Sequence, residues 1–167
     1  MEKKDKTLRE TFALAYQDYK NKNYKSAELL CKKILSIDSN HFDSIFLFAN
    51  LSARQQNFEE SKKLLLKAIE IQPNHVGAYN NLGNTHQALG EFEEAKNCYQ
   101  KTIRIDSNNT NAHYNLGLVF YKLNKLFFSE TTSFYICLSL LLTPAFIVIS
   151  HNALYDALFI FIYLTYS

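Results

Sequence analysis

The sequence predicts an all-α solenoid of antiparallel helix pairs, followed by a hydrophobic helical C-terminal tail. Three observations carry that prediction. Sliding the chain against itself by 34 residues brings blocks 8–41, 42–75 and 76–109 into register, with a fourth block starting at Thr110. The same columns of each block are apolar or small. Charge then stops: all 18 Lys and Arg and 14 of the 16 acids lie in residues 1–125, a formal +4, and only Glu130 and Asp156 follow. A fixed period of this length marks a unit that cannot bury its own apolar face and must stack on its neighbours.

The block ends match most plainly, as "KKILSIDSNH", "LKAIEIQPNH" and "QKTIRIDSNN". Apolar columns are Leu14, Phe48, Leu82 and Leu116; Tyr24, Phe58 and Phe92; Leu35, Ile69 and Ile103; and Ile37, Ile71 and Ile105. Within a block, Tyr79, Leu82, Gly83 and His86 run i, i+3, i+4, i+7, which is one helical face. Two columns are small: Ala15, Ala49, Gly83 and Gly117, and Ala27, Ser61 and Ala95. Helix separation follows the size of the contact residues, so a small residue on the first helix facing a small one on the second predicts a tight antiparallel hairpin.

Punctuation gives the boundaries. Asn57 or Gly90 ends the first helix, and Phe58-Glu59-Glu60 or Phe92-Glu93-Glu94 starts the second with acids at its positive end. Asp38-Ser39, Pro73 and Asp106-Ser107 close each unit with turn chemistry. The predicted organisation is a charged lead over 1–7, a degenerate first repeat at 8–41, repeats at 42–75 and 76–109, and the first helix of a truncated fourth repeat at 110–125. The hydrophobic tail is 126–167.

These features resemble the tetratricopeptide repeat (TPR): 34 residues, two helices, small residues at their crossing and an aromatic opening the second helix. The resemblance covers residues 8 to about 125, with the third unit the closest match and Thr11 and Asp18 departing from the usual aromatics in the first. It implies a superhelical groove lined by first helices that holds a peptide or a partner helix.

Candidate groove residues follow. Asn50 and Asn84 share one first-helix column, and Asn81 and Asn115 share another. Asn is unfavourable inside helices, so these positions point to a gain elsewhere. Amides projecting into a groove can bond a ligand backbone without reading its sequence. The Asn81/Asn115 column is similar to the asparagine ladder lining the superhelix of O-GlcNAc transferase, although the same column holds Ala13 and Leu47 in the earlier units. A solvated helix surface is the competing reading. Tyr16, Phe46 and Tyr114 complete the candidate face. The carboxylate-clamp TPRs that grip chaperone C-termini require groove Lys and Arg on first helices. Here Phe12, Tyr16, Phe46, Asn50, Asn80, Asn84, Tyr114 and Leu118 occupy that face, and the resemblance does not extend to a clamp.

No nucleophile elbow, phosphate-cradling loop or segregated carboxylate pair is present, and the expectation is a non-enzymatic scaffold without cofactor or small-molecule substrate. Interleaved Lys and Glu argue against nucleic acid as partner. Cys31, Cys98 and Cys137 are odd in number and lack CxxC spacing, which argues against disulfides and zinc, and Cys31 and Cys98 fall on core columns. The histidines lack metal-ligand spacing; His41 and His75 are equivalent turn positions, and His86 and His113 sit in columns usually aromatic. "MEKKDKTLRE" has no apolar signal core, so the repeats are expected in the cytoplasm.

In the tail, apolar runs at 134–149 and 153–166 are separated by Ser150-His151-Asn152, and Pro144 interrupts the first. Each is shorter than the ~20 residues a single span needs. Three readings stand: a membrane anchor, as one tilted span or a re-entrant hairpin; a helical cap over the end of the array; or a non-native extension of the gene. The combined expectation is a protein-interaction scaffold held at a membrane by its tail. The alternative is a fragment of a larger TPR enzyme, an O-GlcNAc-transferase-like glycosyltransferase lacking its catalytic domain.

Overall fold

Seven helices follow one another through residues 2–127, the part that the computed structural model describes: α1 (Glu2–Lys20), α2 (Tyr24–Ile37), α3 (Phe42–Arg54), α4 (Phe58–Ile71), α5 (Val76–Leu89), α6 (Phe92–Ile105) and α7 (Thr110–Phe127). The predicted period governs their boundaries. Helices α2, α4 and α6 begin at Tyr24, Phe58 and Phe92 and end at Ile37, Ile71 and Ile105, while α3, α5 and α7 begin at Phe42, Val76 and Thr110. The charged 1–7 lead is almost wholly helical, since α1 begins at Glu2. No Gly or Pro interrupts that stretch, and its alternating acids and lysines suit an exposed helix. Met1–Val119 form one compact unit; of the second, Phe120–Ser167, the described residues complete α7. The predicted hydrophobic tail lies, from residue 128 onward, outside the described residues.

The helices pair as antiparallel neighbours, α1 with α2, α3 with α4 and α5 with α6, and the pairs stack through α2 on α3 and α4 on α5. The core lies along those seams. Ala15, Ala27, Cys31, Leu47 and Leu51 form one buried cluster, and Ile45, Ala49, Leu64, Leu65, Ala68, Ala78, Leu82 and Cys98 the next, with Phe48 packed against both. Leu14 departs from its column: it is 50% exposed. Burial pushes the Cys31 and Cys98 thiols up, to about 12 and about 11, so both stay protonated and behave as small hydrophobes.

The small columns are buried as predicted except at Gly117, which is half-buried, but their facing partners differ. A Cβ on Gly83 would come within 2.6 Å of the Tyr99 ring, so it is Tyr99, and not Ala95, that occupies the space a small first-helix residue leaves. One and two repeats earlier, the Gly83–Tyr99 pair is replaced by Ala49 with Leu65 and Ala15 with Cys31, each pair within one core cluster. The largest second-helix residue therefore meets the smallest first-helix residue, keeping the crossing filled without spreading the backbones.

Helices α1, α3 and α5 each end at a left-handed residue, 34 apart: Lys22 (φ 64°), Gln56 (φ 63°) and Gly90 (φ 80°). The next amide then closes back five residues, Asn23 to Asp18 (2.8 Å), Asn57 to Ser52 (2.9 Å) and Glu91 to His86 (2.9 Å), capping the orphan carbonyls. Asn57 is thus not the breaker equivalent to Gly90. It is the N-cap of α4, accepting from the Glu60 amide, and Gln56 fills the glycine's position. The starts of α3, α5 and α7 are capped at the same period: His41 Nδ1 accepts from the Ser44 amide (3.3 Å), His75 Nδ1 from Ala78 (3.0 Å) and Asn109 Oδ1 from Ala112 (3.0 Å).

Gly83→Ala should lower stability by about 1–3 kcal/mol, because the fully buried Tyr99 ring has nowhere to go. Adding Tyr99→Leu, which recreates the Ala49–Leu65 pair, should recover part of the loss. Thermal unfolding by circular dichroism checks both; a double variant no more stable than Gly83→Ala alone would refute the Gly83–Tyr99 pairing.

Candidate functional site

First helices approach one another, α1 with α3 and α3 with α5, whereas no second helix packs on another second helix among the described residues. The first helices therefore line the inner side of the array, where a ligand groove belongs. A surface depression lies elsewhere, between α2 and α4 over Phe48 and Leu66.

The four candidate asparagines meet in pairs across successive first helices. Asn81 Nδ2 donates to Asn50 Oδ1 at 2.7 Å, joining α5 to α3, and Asn115 Nδ2 donates to Asn84 Oδ1 at 3.0 Å, joining α7 to α5. Neither bond links two members of one column; each runs from the mid-helix column to the late-helix column of the preceding unit. The Tyr99 hydroxyl also donates to Asn84 Oδ1, at 2.7 Å, with Gln87 Oε1 beyond it at 3.1 Å. The Asn84 carbonyl thereby has both lone pairs in use. Its Nδ2, and that of Asn50, keep their donors, while the carbonyls of Asn81 and Asn115 keep acceptor capacity. Tyr99 was not legible as part of this surface; its only signal was an aromatic in an otherwise small or aliphatic column.

The aromatic candidates divide. Tyr16 and Tyr114 are well exposed, at 45% and 62%. Phe46 is half-buried, stacked on Phe42 (6.0 Å between centroids) and edge-on to His75 (5.0 Å), so it supports the cap of α5 and offers a ligand only part of its ring. Asn80 carries a buried Oδ1 with no hydrogen-bond partner. No group of three His, Cys, Asp or Glu converges among the described residues.

Two family models match this chain, "TPR repeat" over residues 88–124 and "Anaphase-promoting complex, cyclosome, subunit 3" over residues 20–102. The helix pairs and their 34-residue period carry the same assignment. The chain is a tetratricopeptide-repeat protein. Solved TPR structures resemble it throughout the array. The first TPR of Spaghetti (RPAP3), bound to the HSP90 peptide SRMEEVD, gives a TM-score of 0.67 at 21% identity over 70% of this chain and 92% of that one. The Sgt2 TPR domain from Aspergillus fumigatus gives 0.67 at 18% identity, over 72% and 81% of the two chains. O-GlcNAc transferase of Thermobaculum terrenum gives 0.66 at 20% identity, over 71% of this chain but 23% of its own. At such identities the likeness is one of fold. No curated protein sequence matches closely enough to count as a relative.

Behind the TPR groove, a polar tether fixes how the second and third pairs sit on each other. Lys62 on α4 donates to Glu91, in the α5–α6 turn, at 2.8 Å, and the buried His86 ring meets the same carboxylate at 2.5 Å. The Lys62 bond, and then the His86 bond, hold the Glu91 carboxyl below the usual 4.5, and Glu91 holds Lys62 above its ordinary range. A depressed carboxyl stabilises the folded state above the unfolded pKa and loses that contribution as pH falls through the folded one. Glu91→Gln should therefore weaken the array at neutral pH yet flatten its stability loss below pH 4.5. Melting midpoints of both proteins between neutral and acid pH check this; parallel acid limbs would count against the tether.

Proposed function

We propose that the array is a non-enzymatic peptide-binding module whose ligand lies extended along the first helices. The observation that carries the reading is the pair of inter-repeat amide bonds, Asn81 to Asn50 and Asn115 to Asn84. Once those bonds are made, donors remain on Asn50 and Asn84 and acceptors on Asn81 and Asn115. An extended backbone presents N–H and C=O groups in alternation, and this set of side chains complements them while leaving the ligand's side chains unread. The TPR of Spaghetti (RPAP3), similar in fold, has been solved with an HSP90 peptide, which supports a peptide occupant here. The repeats are proposed to lie in the cytoplasm.

The reading as a repeat segment of a larger glycosyltransferase draws on one observation, the likeness to an O-GlcNAc transferase of whose chain this array covers 23%. Peptide binding by the amide face is common to both readings.

Replacing Asn81 and Asn115 together with Ala should weaken binding of peptides selected from a random dodecapeptide display library by about tenfold or more, since each neutral hydrogen bond contributes about 0.5–1.5 kcal/mol. Helicity should hold, as Ala is the better helix former. Lys63→Ala, exposed on α4, is the control. Equal losses from the two variants in a polarisation assay would remove the groove from the reading.

Membrane anchoring is the remaining part of the proposal and rests on the apolar sequence of residues 126–167. No helix among the described residues is long and apolar enough to cross a membrane. Full-length protein should sediment with membranes and be released by detergent but not by salt; recovery in the soluble fraction would end the anchor reading.

A further inference from the structure

At the N-terminal end of the array, a row of rings runs from α1 into α2. Phe12 stacks on Tyr16 (6.4 Å between centroids), Tyr16 on Tyr19 (6.5 Å), and Tyr19 meets Tyr24 at 5.9 Å. A cation lies over each end of the tyrosine run: Lys20 Nζ is 4.6 Å from the Tyr16 centroid, and the Arg54 guanidinium is 4.5 Å from that of Tyr24. Lys20 and Arg54 occupy the last turns of α1 and α3, one repeat apart. Both are exposed, and neither meets a carboxylate among the described residues. That sets them apart from Lys32, Lys62 and Lys96, each of which does. The acid nearest Lys20 in sequence, Asp18, is engaged by the Ser26 hydroxyl at 2.6 Å.

Two cations held against ring faces without a counter-ion are already positioned for one. Stacking restrains their side chains, so less freedom is lost when a carboxylate binds. Tyr16, 45% exposed beneath Lys20, still offers apolar ring surface against which another ring can pack. A basic segment would be repelled at both ends, and an uncharged one would leave both cations unanswered.

We infer that the Tyr16–Tyr19–Tyr24 row, bracketed by Lys20 and Arg54, is a subsite for an acidic peptide segment in which an aromatic side chain is flanked by side-chain carboxylates. The inference rests on the groove reading for the course of the peptide and adds the chemistry of one end of it. The amide pairs on α3, α5 and α7 hold backbone, and the α1 end selects side chains.

The test uses three fluorescein-labelled, C-terminally amidated peptides, GSAEYEASG, GSAKYKASG and GSAEAEASG, titrated with full-length protein by fluorescence polarisation. The Glu-Tyr-Glu peptide should bind about tenfold or more tighter than the Lys-Tyr-Lys peptide and measurably tighter than Glu-Ala-Glu, with the charge preference shrinking as salt is raised. Lys20→Gln with Arg54→Gln should abolish that preference, while Lys63→Ala should not. Lys20→Glu with Arg54→Glu should reverse it. Equal binding of the Glu and Lys peptides, no binding of Glu-Tyr-Glu, or a preference that survives the Gln pair would overturn the inference. Failure of the groove reading looks different: the Asn81/Asn115 double variant would then bind display-selected peptides normally while the Lys20/Arg54 variants still lost the acidic probe.

Discussion

The crossing of first and second helix within each pair is the constraint on which the rest depends. A 34-residue hairpin has one apolar face too many to stand alone, and only a close crossing leaves that face flat enough for the next pair. The three described crossings are filled by different residues, Ala15 with Cys31, Ala49 with Leu65 and Gly83 with Tyr99. In the third the compensation is extreme, since a single added methyl would meet an aromatic ring. The gain is that Tyr99 reaches through the hairpin and places its hydroxyl on Asn84. The core of one unit thereby sets the orientation of a side chain on the groove.

Polar contacts then fix the stacking that hydrophobic contacts allow. On the inner side, amides join successive first helices; on the outer side, Lys62 and His86 converge on Glu91. Both sets link neighbouring units and neither spans more than one step, as expected of a quasi-one-dimensional array. The two described cysteines take no part, because burial keeps their thiols protonated.

Much of this was legible in the sequence, because a period is a local property. Helix starts at Tyr24, Phe58 and Phe92 and at Phe42, Val76 and Thr110 follow from aligned columns, as do the buried small residues. The misses share one cause: alignment shows which residues are equivalent, not which ones touch. Asn81 does share a column with Asn115, but the column does not reveal that its bond is to Asn50, 31 residues away. Gly83 was matched with Ala95, yet its neighbour is Tyr99. Gln56 escaped notice beside Asn57 because its left-handed backbone is imposed by the five-residue closure and not advertised by a glycine. Lys20 and Arg54 carry no signal in the sequence, since a cation without a counter-ion cannot be distinguished from a paired one in a linear string.

The amide pairs also have a sense. In both, the later repeat donates and the earlier repeat accepts, so the side-chain dipoles along the inner face point the same way. A surface built like that is not symmetric under reversal of a bound strand. A strand laid down in the opposite orientation would meet the donors of Asn50 and Asn84 in different phase with its carbonyls. On the proposed groove reading the array is a directional track: it would distinguish N-to-C from C-to-N before reading any side chain, and further repeats of the same kind would extend the track without changing its heading.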